Sequence, residues 1–171
     1  QCNTTNGVCN VCQEHHYHHP TDNKKCLSCD SNCRNGKCEM SNGTCYQCAN
    51  NYYPSDDDNK ICVECDSTCE TDQCDGTDGT CNGCKTDHYK NPSDPKSCLE
   101  CHEKCTSGRC KGTTGECEQC LNTYYPDPTN KTKCISCHKE CLNKECDRTT
   151  GYCSKCNTGY YPNPENKREC I

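Results

Sequence analysis

The chain has 171 residues, 28 of them Cys, and a formal net charge of −6. Beyond the Cys it offers ten Tyr, twelve Val, Ile, Leu, Met or Ala, and no Trp or Phe, which excludes a conventional hydrophobic core for this length. The cations are dispersed, so no nucleic-acid-binding face is expected, and no run approaches the ~20 apolar residues of a membrane span.

Taken in chain order, the sequence opens on a partial repeat, 1–28, followed by repeats at 29–64, 65–100, 101–136 and 137–171, the last cut at its end. Adding 36 to any Cys position reaches another Cys wherever the chain is long enough. The spacing is C-x2-C-x3-C-x4-C-x6-C-x2-C-x13, without insertion or deletion. Both ends are expected to be cuts inside a longer array, and a secretion signal is expected outside the residues given.

Each repeat contains two segments with readable punctuation. The x6 segment carries a turn signal, as at Asn42-Gly43 or Asp78-Gly79, in step with Gly7, Gly115 and Gly151. Gly tolerates positive φ, so this segment reads as a tight hairpin tied at its base by Cys. The x13 segment opens on Tyr, as in Tyr52-Tyr53-Pro54, crosses an Asp/Asn/Pro/Lys stretch and closes on Cys, which reads as a second, longer hairpin. Tyr17, Tyr53, Tyr89, Tyr125 and Tyr161 recur, as do Leu27, Val63, Leu99, Ile135 and Ile171. No segment has helical periodicity. The expected fold is a small disulfide-rich tandem repeat of β-hairpins and loops.

Zinc is the rival to disulfides, because Cys9-x2-Cys12-x13-Cys26-x2-Cys29 has the spacing of a four-Cys finger. Such a site leaves Cys33 and Cys38 without a role in each repeat. The sequons at Asn3, Asn42 and Asn130 suit a secreted glycoprotein instead. Two C-x-x-C-H runs, ending at His102 and His138, imitate haem attachment. Their equivalents Asp30 and Asp66 cannot serve as axial ligands, so no cofactor is expected. Reduced, a repeat with so few hydrophobes should not hold, whereas three cross-links contribute about 3 kcal/mol apiece.

Other candidates are single occurrences. In His15-His16-Tyr17-His18-His19, His16 and His18 would share a strand face and are a weak metal pair. Asp56-Asp57-Asp58 has few counterparts in sister repeats and reads as a solvated charge run. The recurring Tyr read as packing over Cys pairs, with a sugar-stacking platform as the alternative. No nucleophile, base and orienter recur together, so the chain is not expected to be an enzyme.

The run Cys29-Asp-Ser-Asn-Cys33, Cys38, Cys45-Tyr-Gln-Cys48-Ala-Asn-Asn-Tyr-Tyr-Pro and Cys62 resembles the furin-like, growth-factor-receptor cysteine-rich repeat. That class occurs in receptor ectodomains and in long protist surface proteins, such as the variant surface proteins of Giardia and the cysteine-rich lectin subunits of Entamoeba. Six Cys alone allow 15 connectivities. The resemblance implies first-to-third and second-to-fourth pairing in a small module, then fifth-to-sixth in the hairpin. Mapped here it implies Cys29–Cys38, Cys33–Cys45 and Cys48–Cys62, then Cys65–Cys74, Cys69–Cys81 and Cys84–Cys98. Cys101–Cys110, Cys105–Cys117, Cys120–Cys134, Cys137–Cys146, Cys141–Cys153, Cys156–Cys170 and Cys12–Cys26 complete the set. Cys2 and Cys9 are left over, to pair upstream or with each other.

On that scheme each C-x-x-C is a two-residue joint between modules, and the array is expected to be an elongated, semi-rigid rod rising on the order of 20 Å per repeat. The expected function is an extracellular or cell-surface structural rod, a coat, stalk or fibre component that assembles with itself or with neighbouring repeats. An adhesin or receptor ectodomain that binds glycan or protein is the alternative, and a zinc-binding or metal-storage protein the third.

Overall fold

The computed structural model describes residues 3 and 5–171. Among these residues the regular structure consists of two short 3-10 turns, Arg34–Gly36 and Leu142–Lys144, and eight strands, named here β1 (His16–His18), β2 (Cys26–Ser28), β3 (Tyr52–Pro54), β4 (Cys62–Glu64), β5 (His88–Lys90), β6 (Cys98–Glu100), β7 (Tyr124–Pro126) and β8 (Cys134–Ser136). They form four separate two-stranded antiparallel sheets, each pairing consecutive strands. Every pair is the x13 hairpin expected from the sequence. The chain is a disulfide-rich array of repeated hairpins.

The register explains the two recurring side-chain series. Tyr17 stands opposite Leu27, Tyr53 opposite Val63, Tyr89 opposite Leu99 and Tyr125 opposite Ile135. In the last repeat Tyr161 and Ile171 exchange both backbone hydrogen bonds at 2.9 Å. An aromatic facing an aliphatic or β-branched residue is a favourable cross-strand pair. Strands this short bury too little on their own, so the hairpin depends on its covalent staple.

Two backbone devices shape each hairpin. The residue before the first strand has positive φ in all five repeats: His15, Asn51, Asp87, Thr123 and Gly159. In the first four repeats its carbonyl accepts the N–H of a Cys fourteen residues on, as His15 does from Cys29 and Thr123 from Cys137, both at 2.8 Å. At the far end, Asp22, Asp58, Asp94, Asn130 and Asn166 accept the N–H of the residue two positions later at 3.0–3.2 Å, an Asx turn in every repeat.

The x6 segment turns as expected. Gly43, Gly79, Gly115 and Gly151 all have positive φ, between 73° and 85°. At the base of the loop the Glu39 N–H donates to the Thr44 carbonyl at 2.9 Å, and the flanking Cys38 and Cys45 are bonded to Cys29 and Cys33. A third turn lies in the x4 segment. At Asn35-Gly36 both central residues have positive φ, the pattern of a type I′ turn, whereas at Thr71-Asp72 and Ser107-Gly108 only the second does.

Sulfur takes the place of a hydrocarbon core. Among the described residues the buried hydrophobic side chains are all Cys, with Tyr125 as the one exception. Contacts gather the chain into two compact units, Gln1–Gly83 with Ser93–Ser97, and Cys84–Pro92 with Cys98–Ile171. The first contains the sulfur cluster of Cys33, Cys45, Cys48 and Cys62. The second contains two, Cys117, Cys120 and Cys134, and Tyr125 with Cys137, Cys141, Cys153 and Cys170.

Candidate functional site: the joint between repeats

Thirteen disulfides lie among the described residues. In the hairpins they join Cys12–Cys26, Cys48–Cys62, Cys84–Cys98, Cys120–Cys134 and Cys156–Cys170. In the small modules they join Cys29–Cys38, Cys65–Cys74, Cys101–Cys110 and Cys137–Cys146. Crossing these are Cys33–Cys45, Cys69–Cys81, Cys105–Cys117 and Cys141–Cys153. Cys9 is also disulfide-bonded, while its suggested pairing with Cys2 lies outside the described residues. The zinc-finger spacing is therefore spent differently, with Cys12 bonded to Cys26 and Cys29 to Cys38.

Consecutive disulfides meet across the C-x-x-C pairs. The sulfurs of Cys33, Cys45 and Cys62 lie within 4.8 Å of one another, as do those of Cys117, Cys120 and Cys134, and of Cys141, Cys153 and Cys170. All of these sulfurs are consumed in disulfides and lack the thiolate that a metal requires.

The same linkage is reinforced by a ring. Tyr17, Tyr53, Tyr89 and Tyr125 each reach into the next repeat and lie on its x6 glycine. A Cβ added at Gly43 would stand 2.6 Å from the Tyr17 ring, at Gly79 2.7 Å from Tyr53, at Gly115 2.8 Å from Tyr89 and at Gly151 2.4 Å from Tyr125. Those distances are shorter than any carbon–carbon contact, so only glycine fits. The recurrent Gly thus has two requirements, a left-handed backbone and an empty side-chain position.

A cation completes this packing in three of the four joints. Lys60 lies 5.9 Å from the Tyr17 centroid, Lys96 4.6 Å from Tyr53, and the Arg168 guanidinium 5.8 Å from Tyr125. Each is seventeen residues beyond the glycine, at the Asx turn. The corresponding residue for Tyr89 is Thr132, a hydroxyl where the other joints carry charge. The Asp56 carboxylate pairs with Lys96 and holds its ammonium above the usual lysine pKa.

A second bond crosses the joint from the positive-φ residue. Asn51 Oδ1 accepts the Asp72 N–H at 3.0 Å, and Asp87 accepts the Gly108 N–H at 2.8 Å and the Ser107 hydroxyl at 2.6 Å. These donors depress the Asp87 pKa, the Ser107 hydroxyl most. His15 Nδ1 donates to the Gly36 carbonyl at 2.7 Å. The joint into the last repeat has a clamp of its own: the Arg148 guanidinium donates to the Cys120 carbonyl at 2.6 Å and the Thr106 hydroxyl at 2.7 Å.

The remaining sequence candidates have local duties. His102 and His138 accept the N–H two residues on, from Lys104 at 3.2 Å and Glu140 at 3.4 Å, as the carboxylates of Asp30 and Asp66 do from Asn32 and Thr68. An imidazole acceptor replaces a carboxylate acceptor, which is why C-x-x-C-H alternates with C-x-x-C-D. His16 Nδ1 lies 3.1 Å from the Glu14 carbonyl, and His18 lies beside the Cys12–Cys26 sulfurs. No cluster of three donors containing both His16 and His18 exists among the described residues. Asp58 serves the Asx turn and Asp56 the Lys96 pair.

The sequon asparagines Asn3, Asn42 and Asn130 are exposed, and each accepts the N–H of its own Thr, at 2.8, 2.9 and 3.2 Å. No helix among the described residues is long and apolar enough to cross a membrane. No family model matches the chain, and no curated protein matches it.

Proposed function

We propose that the chain is a non-enzymatic, extracellular structural rod, a segment of a surface coat, stalk or fibre whose repeats assemble in fixed register. Disulfides at this density belong to an oxidising compartment, which supports the extracellular part of the reading. The furin-like resemblance points the same way.

One observation carries the structural role. The same Tyr-on-Gly contact recurs at four joints spaced by a repeat of constant length, although the loop sequences between them differ. Surface loops ordinarily accept insertions. A constant repeat length with the same ring contact at each joint supports a reading in which bonding surfaces recur in phase along a rod.

The test is a one-residue insertion between Asp57 and Asp58, in an exposed part of an x13 loop. The variant should fold and form its disulfides, yet fail to build regular assemblies in electron micrographs. Assembly equal to wild type overturns the reading.

An adhesin has one observation in its favour. Tyr46, 69% exposed, borders a cavity of about 340 Å³ whose walls include Arg34, Asn35 and Gln47. An exposed ring beside amide and guanidinium donors suits a sugar. The Tyr17 platform suits it less, since that ring is already against Gly43. Glycan-array binding that disappears in Tyr46→Ala would replace the structural reading with this one.

A further inference from the structure

The joint at Tyr89 differs from its sisters in one residue, and that residue completes a sequon. Elsewhere an Asx turn carries the cation: Asp58, Asp94 and Asn166 accept the N–H of Lys60, Lys96 and Arg168, and those cations lie over Tyr17, Tyr53 and Tyr125. Asn130 makes the same turn, its Oδ1 accepting the Thr132 N–H at 3.2 Å and the Thr132 hydroxyl at 2.7 Å. Among the described residues no cation lies over Tyr89. Thr at the cation's position thus removes the charge and at the same time completes Asn130-Lys131-Thr132.

The turn leaves one atom of Asn130 for a sugar. Both Thr132 donors go to Oδ1, Nδ2 has no hydrogen-bond partner among the described residues, and the residue is exposed. A glycosylated Nδ2 keeps Oδ1 as an acceptor, so the turn survives the modification. With Oδ1 2.7 Å from the Thr132 hydroxyl, Nδ2 stands beside the point from which a lysine stem would start at 132. Tyr89 belongs to the same compact unit, and its ring is half-buried, with Gly115 against it and part of it open to solvent.

We propose that Asn130 carries an N-glycan whose first N-acetylglucosamine lies on Tyr89, covering the ring where a cation covers it at the other joints. This goes beyond the rod reading and rests only on its extracellular part. In the transfer Nδ2 loses a proton and bonds to the anomeric carbon of a lipid-pyrophosphate oligosaccharide, whose sugar–phosphate bond breaks. The C–H face of the sugar is apolar and packs on an aromatic face as an aliphatic side chain does. Sugar and cation are then alternative covers for one recurrent ring, and the glycan is a structural part of the joint.

The test uses the full oxidised chain secreted by an N-glycosylating cell, with Asn3→Asp and Asn42→Asp leaving Asn130 as the only sequon. Trimming with an endoglycosidase leaves a single N-acetylglucosamine. Its protons should be shifted upfield by the Tyr89 ring current, relative to the same chain reduced, and should show cross-relaxation with the Tyr89 ring protons. Tyr89→Leu should return the sugar shifts to those of the reduced chain, while Tyr89→Phe should preserve them. If Tyr89→Leu does not fold, cross-relaxation in the chain that keeps Tyr89 decides alone. Proteolysis within 101–136 should be slower than in Asn130→Asp, which keeps the turn acceptor of Asp58 and Asp94 without a sugar. An unmodified Asn130, or sugar shifts equal to those of the reduced chain, overturns the proposal. So do sugar protons that touch Glu116 and Asp127, which border a cleft of about 330 Å³, and not Tyr89. The insertion between Asp57 and Asp58 leaves Tyr89, Asn130 and Thr132 intact, so its assembly bears on the rod reading alone.

Discussion

The ring of Tyr125 lies on Gly151 so closely that a methyl group there would stand 2.4 Å from it. The two residues belong to successive repeats, and neither is adjacent to the other in sequence or in sheet. Replacing Gly151 by Ala should therefore fail for two reasons, a left-handed backbone costing about 1–2 kcal/mol and crowding of the ring costing about 1–3 more. Gly108 isolates the first, because it also has positive φ but nothing within 4 Å of its Cβ position. Thermal unfolding should show Gly151→Ala clearly below Gly108→Ala. Equal losses would mean that the ring contact contributes nothing.

Thr132 stands where three other joints place a cation. Thr132→Lys should bring an ammonium over Tyr89 and add roughly 0.5–1 kcal/mol. The variant also deletes the sequon at Asn130, so the comparison belongs in protein made without glycans. The Lys substitution should raise resistance to proteolysis within 101–136, and an unchanged or lower resistance would contradict the cation's role.

The Asp147 carboxylate accepts from the N–H and the hydroxyl of both Thr149 and Thr150, and these donors hold its pKa well below the ordinary carboxylate range, the Thr149 hydroxyl most. Asp75 and Asp127 are lowered in the same way by Thr77 and Thr129. Because the folded pKa lies below the unfolded one, the stabilisation is complete above about pH 4 and is lost as pH falls through the depressed value. Melting between pH 7 and pH 2 should decline with acid, and less steeply in Asp147→Asn. A decline identical in the variant would remove Asp147 from the explanation.

Much of this fold was legible because its constraints are local and periodic. Cys spacing, the Asn-Gly and Asp-Gly turns and the Tyr series together give hairpins and loop order, whereas the pairing of each Tyr with an aliphatic residue came from the structure. The joint was not legible as a contact. The Tyr and Gly series were each visible, but nothing in one dimension says that Tyr17 meets Gly43 rather than its own Cys pair. The positive-φ position was hidden because His15, Asn51, Asp87 and Thr123 occupy it, with Gly only at Gly159. Asn and Asp tolerate that region through their short polar side chains, and here those side chains bond across the joint.

Thr123 is the exception in that series, a β-branched residue at φ of 71°. Its carbonyl, which accepts the Cys137 N–H at 2.8 Å, is retained in any substitution. Thr123→Gly should therefore stabilise by about 0.5–1 kcal/mol through relief of the left-handed conformation. Hydrogen exchange at Cys137 should slow in the variant. Faster exchange would show that the threonine side chain holds the turn in a way its backbone does not reveal.

Everything above depends on sulfur bonded to sulfur in a chain whose buried hydrophobic residues, among those described and Tyr125 apart, are Cys. The direct test is the intact mass of protein taken from its native source, before and after reduction, with a thiol-alkylating reagent present at each stage. The account predicts no alkylation and no bound metal before reduction, then a gain of at least 26 hydrogens from the thirteen described bridges and full alkylation afterwards. Alkylation of the unreduced protein, or zinc carried with unbridged thiols, would contradict it.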